Sequence, residues 1–321
     1  MKERIADLGE RGLIRRLRES IPALSEIGDD SAVLPSLECP VVTTDSFFEG
    51  THFHRWWAPA PVLGRRLLEA TLSDLAAMGA KAGWIFPAVS LDPDMEADWL
   101  EGFYHGLTRR GEVRVAGGET VRGNRFGITL TAIGEGGDPN TLLRRCSLKS
   151  GDILWTSGPV GRALGAPEML ERAGGMRDDP LEPVKDGFTR EETDQLRAFL
   201  LPEAELDTGH RLREIGVRCA IDISDGLLSE AQHLSRESGV DIVLELEDKL
   251  FFPSVSDRPV EAAAAGEDFV LLFGASPELD LSALGCQMAG RAAAGRGELT
   301  VLLHGEETDV RTFGYDHMEV D

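Results

Sequence analysis

Four cysteines in 321 residues, Cys39, Cys146, Cys219 and Cys286, stand far apart and form no CxxC pair. That excludes a zinc knuckle or a redox dithiol and leaves reduced, structural thiols. Basic residues are scarce: 33 Lys and Arg face 56 Asp and Glu, a net charge of -23 at pH 7. A broad grip on nucleic acid phosphates is therefore disfavoured, and partners should be cationic, metallic or small. Long apolar runs are missing too, the best being residues 83–91, about half of what a transmembrane helix requires. The start, Met1-Lys2-Glu3-Arg4, is charged and has no apolar signal core, so a cytoplasmic protein without a membrane partner is expected. No phosphate loop ending in Gly-Lys-Ser or Gly-Lys-Thr, no kinase Asp-Phe-Gly set and no GxSxG elbow occurs, which withdraws support from the familiar nucleotide and nucleophile scaffolds.

What is present is a globular composition, 42% hydrophobic and 28% charged, long enough for two domains. Apolar periodicity predicts a helix over 5–20 and a broader one over 61–79, with Asp74 near its end. The β-branched run Val41-Val42-Thr43-Thr44 predicts a buried strand with Asp45 just past its exit. Strands over 84–91, 113–116 and 126–134 alternate with a helix over 95–110, a layered α/β or α+β pattern. A second unit begins near Gly151, giving domains 1–150 and 151–321. Its expected elements are a strand over 153–156, a helix and crossing loop within 168–197, and a strand over 219–223. There follow a helix over 225–237 capped by Ser224 and stopped at Gly239, and strands over 240–246 and 268–273.

Nine acids share a strand end or tight loop: Asp29, Asp30, Asp45, Asp74, Glu119, Asp222, Asp225, Glu267 and Asp268. Taken one at a time, each also suits a turn or a helix cap. If four or more converged, each like-charge pair would cost on the order of 3 to 4 kcal/mol at an effective dielectric near 20. Protons or divalent cations would have to neutralise them. Hard oxygen ligands, with the hydroxyls of Thr43 and Thr44 beside Asp45, suit magnesium better than zinc. Gly117-Gly118 before Glu119 permits close backbone approach to a phosphate, or simply a turn.

In chain order, the matching segments are Ile27-Gly28-Asp29-Asp30, Thr43-Thr44-Asp45-Ser46, Glu49-Gly50-Thr51-His52-Phe53 and Leu72-Ser73-Asp74-Leu75-Ala76-Ala77-Met78-Gly79-Ala80. They continue with Gly117-Gly118-Glu119-Thr120, Ile221-Asp222-Ile223-Ser224-Asp225-Gly226-Leu227, Gly266-Glu267-Asp268-Phe269 and Gly314-Tyr315-Asp316-His317. Together they resemble the thiamine-monophosphate kinases over nearly the whole chain. The resemblance implies the fold shared with aminoimidazole ribonucleotide synthetase: an N-terminal α/β domain whose sheet forms a barrel across a homodimer, and a C-terminal α+β domain. It implies transfer of the ATP γ-phosphoryl to thiamine monophosphate, giving thiamine diphosphate, with ATP as co-substrate and several Mg2+ ions.

By the same resemblance the metal ligands are Asp30, Thr43, Thr44, Asp45, Asp74, Glu119, Asp222 and Asp225. Gly118, Arg145 and Ser224 would contact ATP, and His52, Glu267 and Tyr315 the thiamine phosphate. Because the acceptor phosphate is already ionised, no general base or nucleophile is assigned; positioning and charge neutralisation should suffice. The chain departs from the family pattern at four places. Glu119 stands for the usual Asp, Gly161-Arg162 for Gly-Asp, and Ala265 for one glycine of a pair. Pro202-Glu203-Ala204-Glu205 stands for Pro-X-Pro-Arg. Two other readings are a non-catalytic binder of nucleotide or thiamine phosphates and a sister synthetase of the same fold; the latter wants a reactive thiol near one terminus, and this sequence shows none there.

Overall fold

The computed structural model describes residues 3–24, 27–176, 187–310 and 314. Helix α1 (Ile5–Ser20) buries Ile5, Leu13 and Leu17 and bends at Gly9, where φ is 62°. Arg16 ties it down through Glu3, Asp98 and Glu101. Strand β1 (Pro40–Phe48) does not stop at Thr44. It continues beyond Asp45 because Ser46, Phe47 and Phe48 keep pairing with the last strand of the sheet, so Asp45 projects from mid-strand and not from an exit.

Helix α2 (Ala60–Ala77), β2 (Lys81–Leu91), α3 (Ala97–Leu107), β3 (Arg114–Val115), β4 (Glu119–Arg122) and β5 (Gly127–Glu135) complete the first unit. Its sheet runs β1-β5-β2-β3, antiparallel except that β3 and β4 both lie parallel to β2. Helices α2 and α3 cross at Gly64 and Gly106; a Cβ on Gly106 would stand 2.7 Å from the backbone N of Arg65. One sheet face buries Ile85, Val89, Ile128, Leu130 and Ala132. The other carries Thr44, Ser46, Phe86, Ala88, Thr129 and Thr131, with Val42 60% and Phe48 43% exposed.

The second unit comprises β6 (Ile153–Thr156), α4 (Ala166–Ala173), α5 (Arg190–Leu200), α6 (Leu206–Glu214), β7 (Cys219–Asp222), α7 (Leu227–Ser238) and β8 (Val240–Leu246). It ends with α8 (Pro259–Ala264), β9 (Leu271–Ala275), β10 (Gln287–Ala294), β11 (Leu299–Leu303) and β12 (Glu306–Glu307). Its mixed sheet runs β12-β11-β8-β10-β6-β9-β7, with only the β8 and β11 pair parallel. Part of the crossing loop expected within 168–197 falls on 177–186, outside the described residues. On its far side Thr189 and Glu192 form a capping box that starts α5.

Two expectations are corrected here. Ser224 does not cap α7, which begins at Leu227 behind Gly226 at φ 121°; the Ser224 carbonyl instead accepts the Glu267 N–H at 2.6 Å. Strand β9 starts at Leu271, not at Asp268, because Glu267 and Phe269 take φ values of 60° and 51°, which no extended strand tolerates. Both units share α2. Fourteen of its 18 residues are buried, against β1 and β5 on one side and α6 and β7 on the other. Among the described residues no helix is long and apolar enough to cross a membrane.

Candidate active site

Where β1, the C-terminal half of α2 and the loop after β7 meet, a cavity of about 570 Å³ opens. Asp45, His52, Asp74, Asp222, Asp225 and Glu267 all line it. The two-residue period of β1 sends Thr43 and Asp45 to the α2 side and Thr44 and Ser46 to the open face. Thr43 Oγ1 donates to Asp74 Oδ2, fixing that carboxylate in the last turns of α2. Asp222 closes the set from the end of β7, 3% exposed.

The electrostatics record this convergence. Burial, followed by the Asp74 charge, pushes the Asp45 carboxyl up to about 7, with the Thr71 hydroxyl opposing. Burial and then Asp74 also raise Asp222, while the Ser73 hydroxyl and Arg145 counter the rise. Glu230, in the first turn of α7, is pushed up to about 8 by burial and then by Asp222. The backbone N–H of Asp225 donates to its Oε1 at 3.3 Å. Such a group of acids holds its charges only if cations compensate them.

The opposite wall is aromatic. His52 Nδ1 accepts the Phe48 N–H at 3.0 Å and the ring stands edge-on to Phe47, centroids 5.9 Å apart. His54 stacks on Trp56 at 5.5 Å and meets Trp57 edge-on at 5.4 Å. Arg55 grips both Glu49 oxygens at 2.8 Å, setting the turn that presents these rings. Glu267 enters from a tightly folded loop: a Cβ on Gly266 would lie 3.1 Å from the Cα of Asp225, so the loops before α7 and β9 run side by side.

The remaining expected residues gather elsewhere. A second cavity, about 990 Å³, lies on the open sheet face and is lined by Asp29, Asp30, Gly118 and Glu119 together with Phe86 and Thr131. Thr44 lies on the same sheet face, its hydroxyl 3.1 Å from that of Thr131, but lines a separate cavity with Asp45, Ser46 and His52. Within one chain the expected set is therefore divided. Asp45, Asp74, Asp222, Asp225, Ser224, His52 and Glu267 share the cleft, with Thr43 and Arg145 beside it, and Asp30, Thr44, Gly118 and Glu119 share the sheet face. Tyr315 lies outside the described residues.

The sequence reading missed Glu230, Arg66 and the His54 to Trp57 aromatics. Glu230 and Arg66 had a signal: each is a charge set in an apolar helical stripe, Glu230 between Leu227 and Leu234, Arg66 between Leu63 and Ala70. Two of the departures from the family pattern also meet in space. Arg162 and Glu205 act on each other electrostatically, although the ion pair of Arg162 is with Asp268 at 3.6 Å.

Around Asp45, Asp74, Asp222 and Asp225, with Thr43 beside them, the donors are hard carboxylate and hydroxyl oxygens, which fits magnesium. No three His, Cys, Asp or Glu side chains among the described residues already form an ion cage.

Residues 28–135 match the family model described as AIR synthase related protein, N-terminal domain. The thiamine-monophosphate kinase of Aquifex aeolicus is 30% identical over 328 residues, covering 98% of this chain and 99% of that protein. The crystal structure of thiamine-monophosphate kinase from Stenotrophomonas maltophilia superposes with a TM-score of 0.75 at 29% identity, covering 94% of this chain and 98% of that one. The structure of AaThiL complexed with AMPPCP and TMP gives a TM-score of 0.73 at 27% identity, over 98% of this chain and 100% of that one.

Proposed function

The chain belongs to the thiamine-monophosphate kinases, and from that membership we propose how its own residues carry the reaction. It is an ATP-dependent kinase that phosphorylates thiamine monophosphate to thiamine diphosphate. The observation that supports the cleft as the place of transfer is the convergence of Asp45, Asp74 and Asp222, where the Asp74 charge adds to burial in raising the carboxyls of both Asp45 and Asp222. Donor and acceptor are both anionic phosphates, so the barrier is chiefly one of charge and alignment. Magnesium ions held by Asp45, Asp74, Asp222 and Asp225, with Thr43 beside them and with Asp30, Thr44 and Glu119 on the sheet face, would supply the neutralising charge.

The protein's part is to orient. Thr43 locks Asp74, and the hydroxyls of Thr71 and Ser73 on the same helix favour the ionised forms of Asp45 and Asp222. Gly118, Ser224 and Arg145 are the ATP contacts, Arg145 placing a cation near the acid set. Thiazolium carries a fixed positive charge, which Glu267 and the aromatic wall of His52, His54 and Trp57 would favour. Tyr315 is proposed as the third substrate contact. Nothing in this scheme needs a covalent enzyme intermediate, because the acceptor oxygen is already ionised.

We also propose two domains, 1–150 and 151–321, since each sheet lies wholly within one of them. A homodimer is proposed as well: the uncovered face of the first sheet, with Val42 and Phe48 exposed, is suited to a second copy. The experiment is an ADP-release assay with ATP, magnesium and thiamine monophosphate, with thiamine and Asp45→Asn as controls. Turnover on the monophosphate alone, lost in the variant, is expected. Binding of both ligands without turnover would overturn the assignment of catalysis to this chain.

A further inference from the structure

Arg66 is the largest fully buried side chain among the described residues, 1% exposed, on a helix whose other buried charge, Glu69, is matched by Arg110. Its guanidinium lies flat over Phe199 of α5, 4.0 Å from the ring centroid. Nη2 stands 2.9 Å from Glu267 Oε1 as an ion pair, and neither Nη1 nor Nη2 meets a partner in hydrogen-bond geometry among the described residues. A buried cation left without an anion is costly, so Glu267 is the counter-charge that lets Arg66 stay where it is. The converse matters more for the reaction. Glu267 has a side chain 37% exposed at the cleft and a backbone held at φ 60° by the Ser224 carbonyl. Arg66 pairs with Oε1, and Glu267 lines the cavity.

We propose that Arg66 is a positioning residue for the thiamine phosphate acceptor, aiming and holding the charge of Glu267 without touching substrate itself. The assignment rests on the reading of Glu267 as a substrate contact. Helix geometry supports it. Arg66, Ala70 and Ser73 share one stripe of α2 at i, i+4 and i+7; Ala70 lines the cleft and Ser73 stands beside Asp222. A single rigid rod therefore spaces the Glu267 end from the acid set, seven residues or about 10 Å along the axis. Phe199 supplies the floor: it packs against Trp57 at 5.6 Å, so the guanidinium rests on a ring that joins the base of the aromatic wall. Lysine in its place would keep charge but lose the planar face and the fork.

The test compares Arg66→Met, Arg66→Lys, Glu267→Gln and the Met/Gln double variant by steady-state kinetics with ATP and thiamine monophosphate. Arg66→Met should raise KM for the monophosphate roughly tenfold, with KM for ATP within about twofold and kcat reduced about threefold or less. Arg66→Lys should fall between, with KM up about threefold. In the Glu267→Gln background, Arg66→Met should add less than about twofold, because the group it positions is already gone. The role of Arg66 is overturned if Glu267→Gln raises KM for the monophosphate while Arg66→Met does not. Equal movement of both KM values, or effects that multiply in the double variant, overturns it as well. If Arg66→Met does not fold, Arg66→Lys decides, and a wild-type KM there refutes the role. An unchanged KM in Glu267→Gln instead overturns the assignment of Glu267 on which the inference stands.

Discussion

Replacing Asp45 by Asn should make the ligand-free protein more stable and the enzyme inactive. The carboxyl of Asp45 is raised from 3.8 to about 7 in the fold, so above pH 7 the native state holds an anion it disfavours. About three pH units correspond to on the order of 4 kcal/mol, an upper figure that solvent entering the cleft reduces to roughly 1 to 3 kcal/mol. The sign follows from linkage. A group whose folded pKa exceeds its unfolded value contributes its full stability below the unfolded value, near pH 4, and loses it as pH rises through about 7. Asparagine has nearly the same shape and no charge to lose. Thermal melting without metal should therefore show Asp45→Asn and wild type level near pH 4, the variant gaining with pH and standing about 2 to 5 °C higher at pH 8. Addition of magnesium and ATP should reverse the order at pH 8, because only the carboxylate rewards a cation. A variant less stable than wild type at pH 8, or a gain independent of pH, would refute the reasoning.

At the α2 and α3 crossing, Gly106→Ala should cost roughly 1 to 3 kcal/mol in urea unfolding, since its Cβ would stand 2.7 Å from the Arg65 nitrogen. Gly111→Ala, with nothing within 4 Å, should stay within about 0.5 kcal/mol; similar losses in both would contradict the close-approach argument. Asp241 accepts the N–H groups of Arg296, Gly297 and Glu298 at 2.8 to 3.1 Å, which holds its carboxyl below the usual range. Asp241→Ala should lower the urea midpoint at pH 7, and the deficit should shrink as pH falls below 4 and the wild-type carboxylate protonates; a deficit unchanged at pH 3 would show that charge plays no part.

Periodicity carried the regular elements well: α1, β6 and β8 run over the very residues that the apolar patterns mark. It failed where tertiary bonds outrank local preference. Ser224 looks like a helix cap, yet its carbonyl is taken by Glu267 and the helix waits for Gly226. Asp45 looks like a strand exit because Ser46 follows it, yet pairing with β5 carries the strand to Phe48. Strands β10 and β11 and helix α6 gave no clear pattern, since Gln287-Met288-Ala289-Gly290 and Leu206-Asp207-Thr208-Gly209 are weak formers held by neighbours. As for the site, the acids stand out as strand-end and loop residues, but their division into a cleft group and a sheet-face group depends on the alternation of β1. That alternation became readable only once the strand's true extent was known. The departures at 162 and 205 were opaque for the same reason: two reversed charges forty residues apart in sequence make sense only as neighbours.

Helix α2 is a component owned by both halves of the molecule, and this has a bearing on synthesis. Its Ala76 and Ala77 are covered by Leu212, Ala220 and Leu271, residues that leave the ribosome well over a hundred positions later. At elongation speeds of about 5 to 20 residues per second, that side of the helix waits for several seconds with nothing to cover it. During that interval Arg66 has neither Phe199 nor Glu267. A nascent chain paused before residue 200 is thus a target for chaperones, with its stickiest surface on the helix that later carries Asp74 into the finished enzyme.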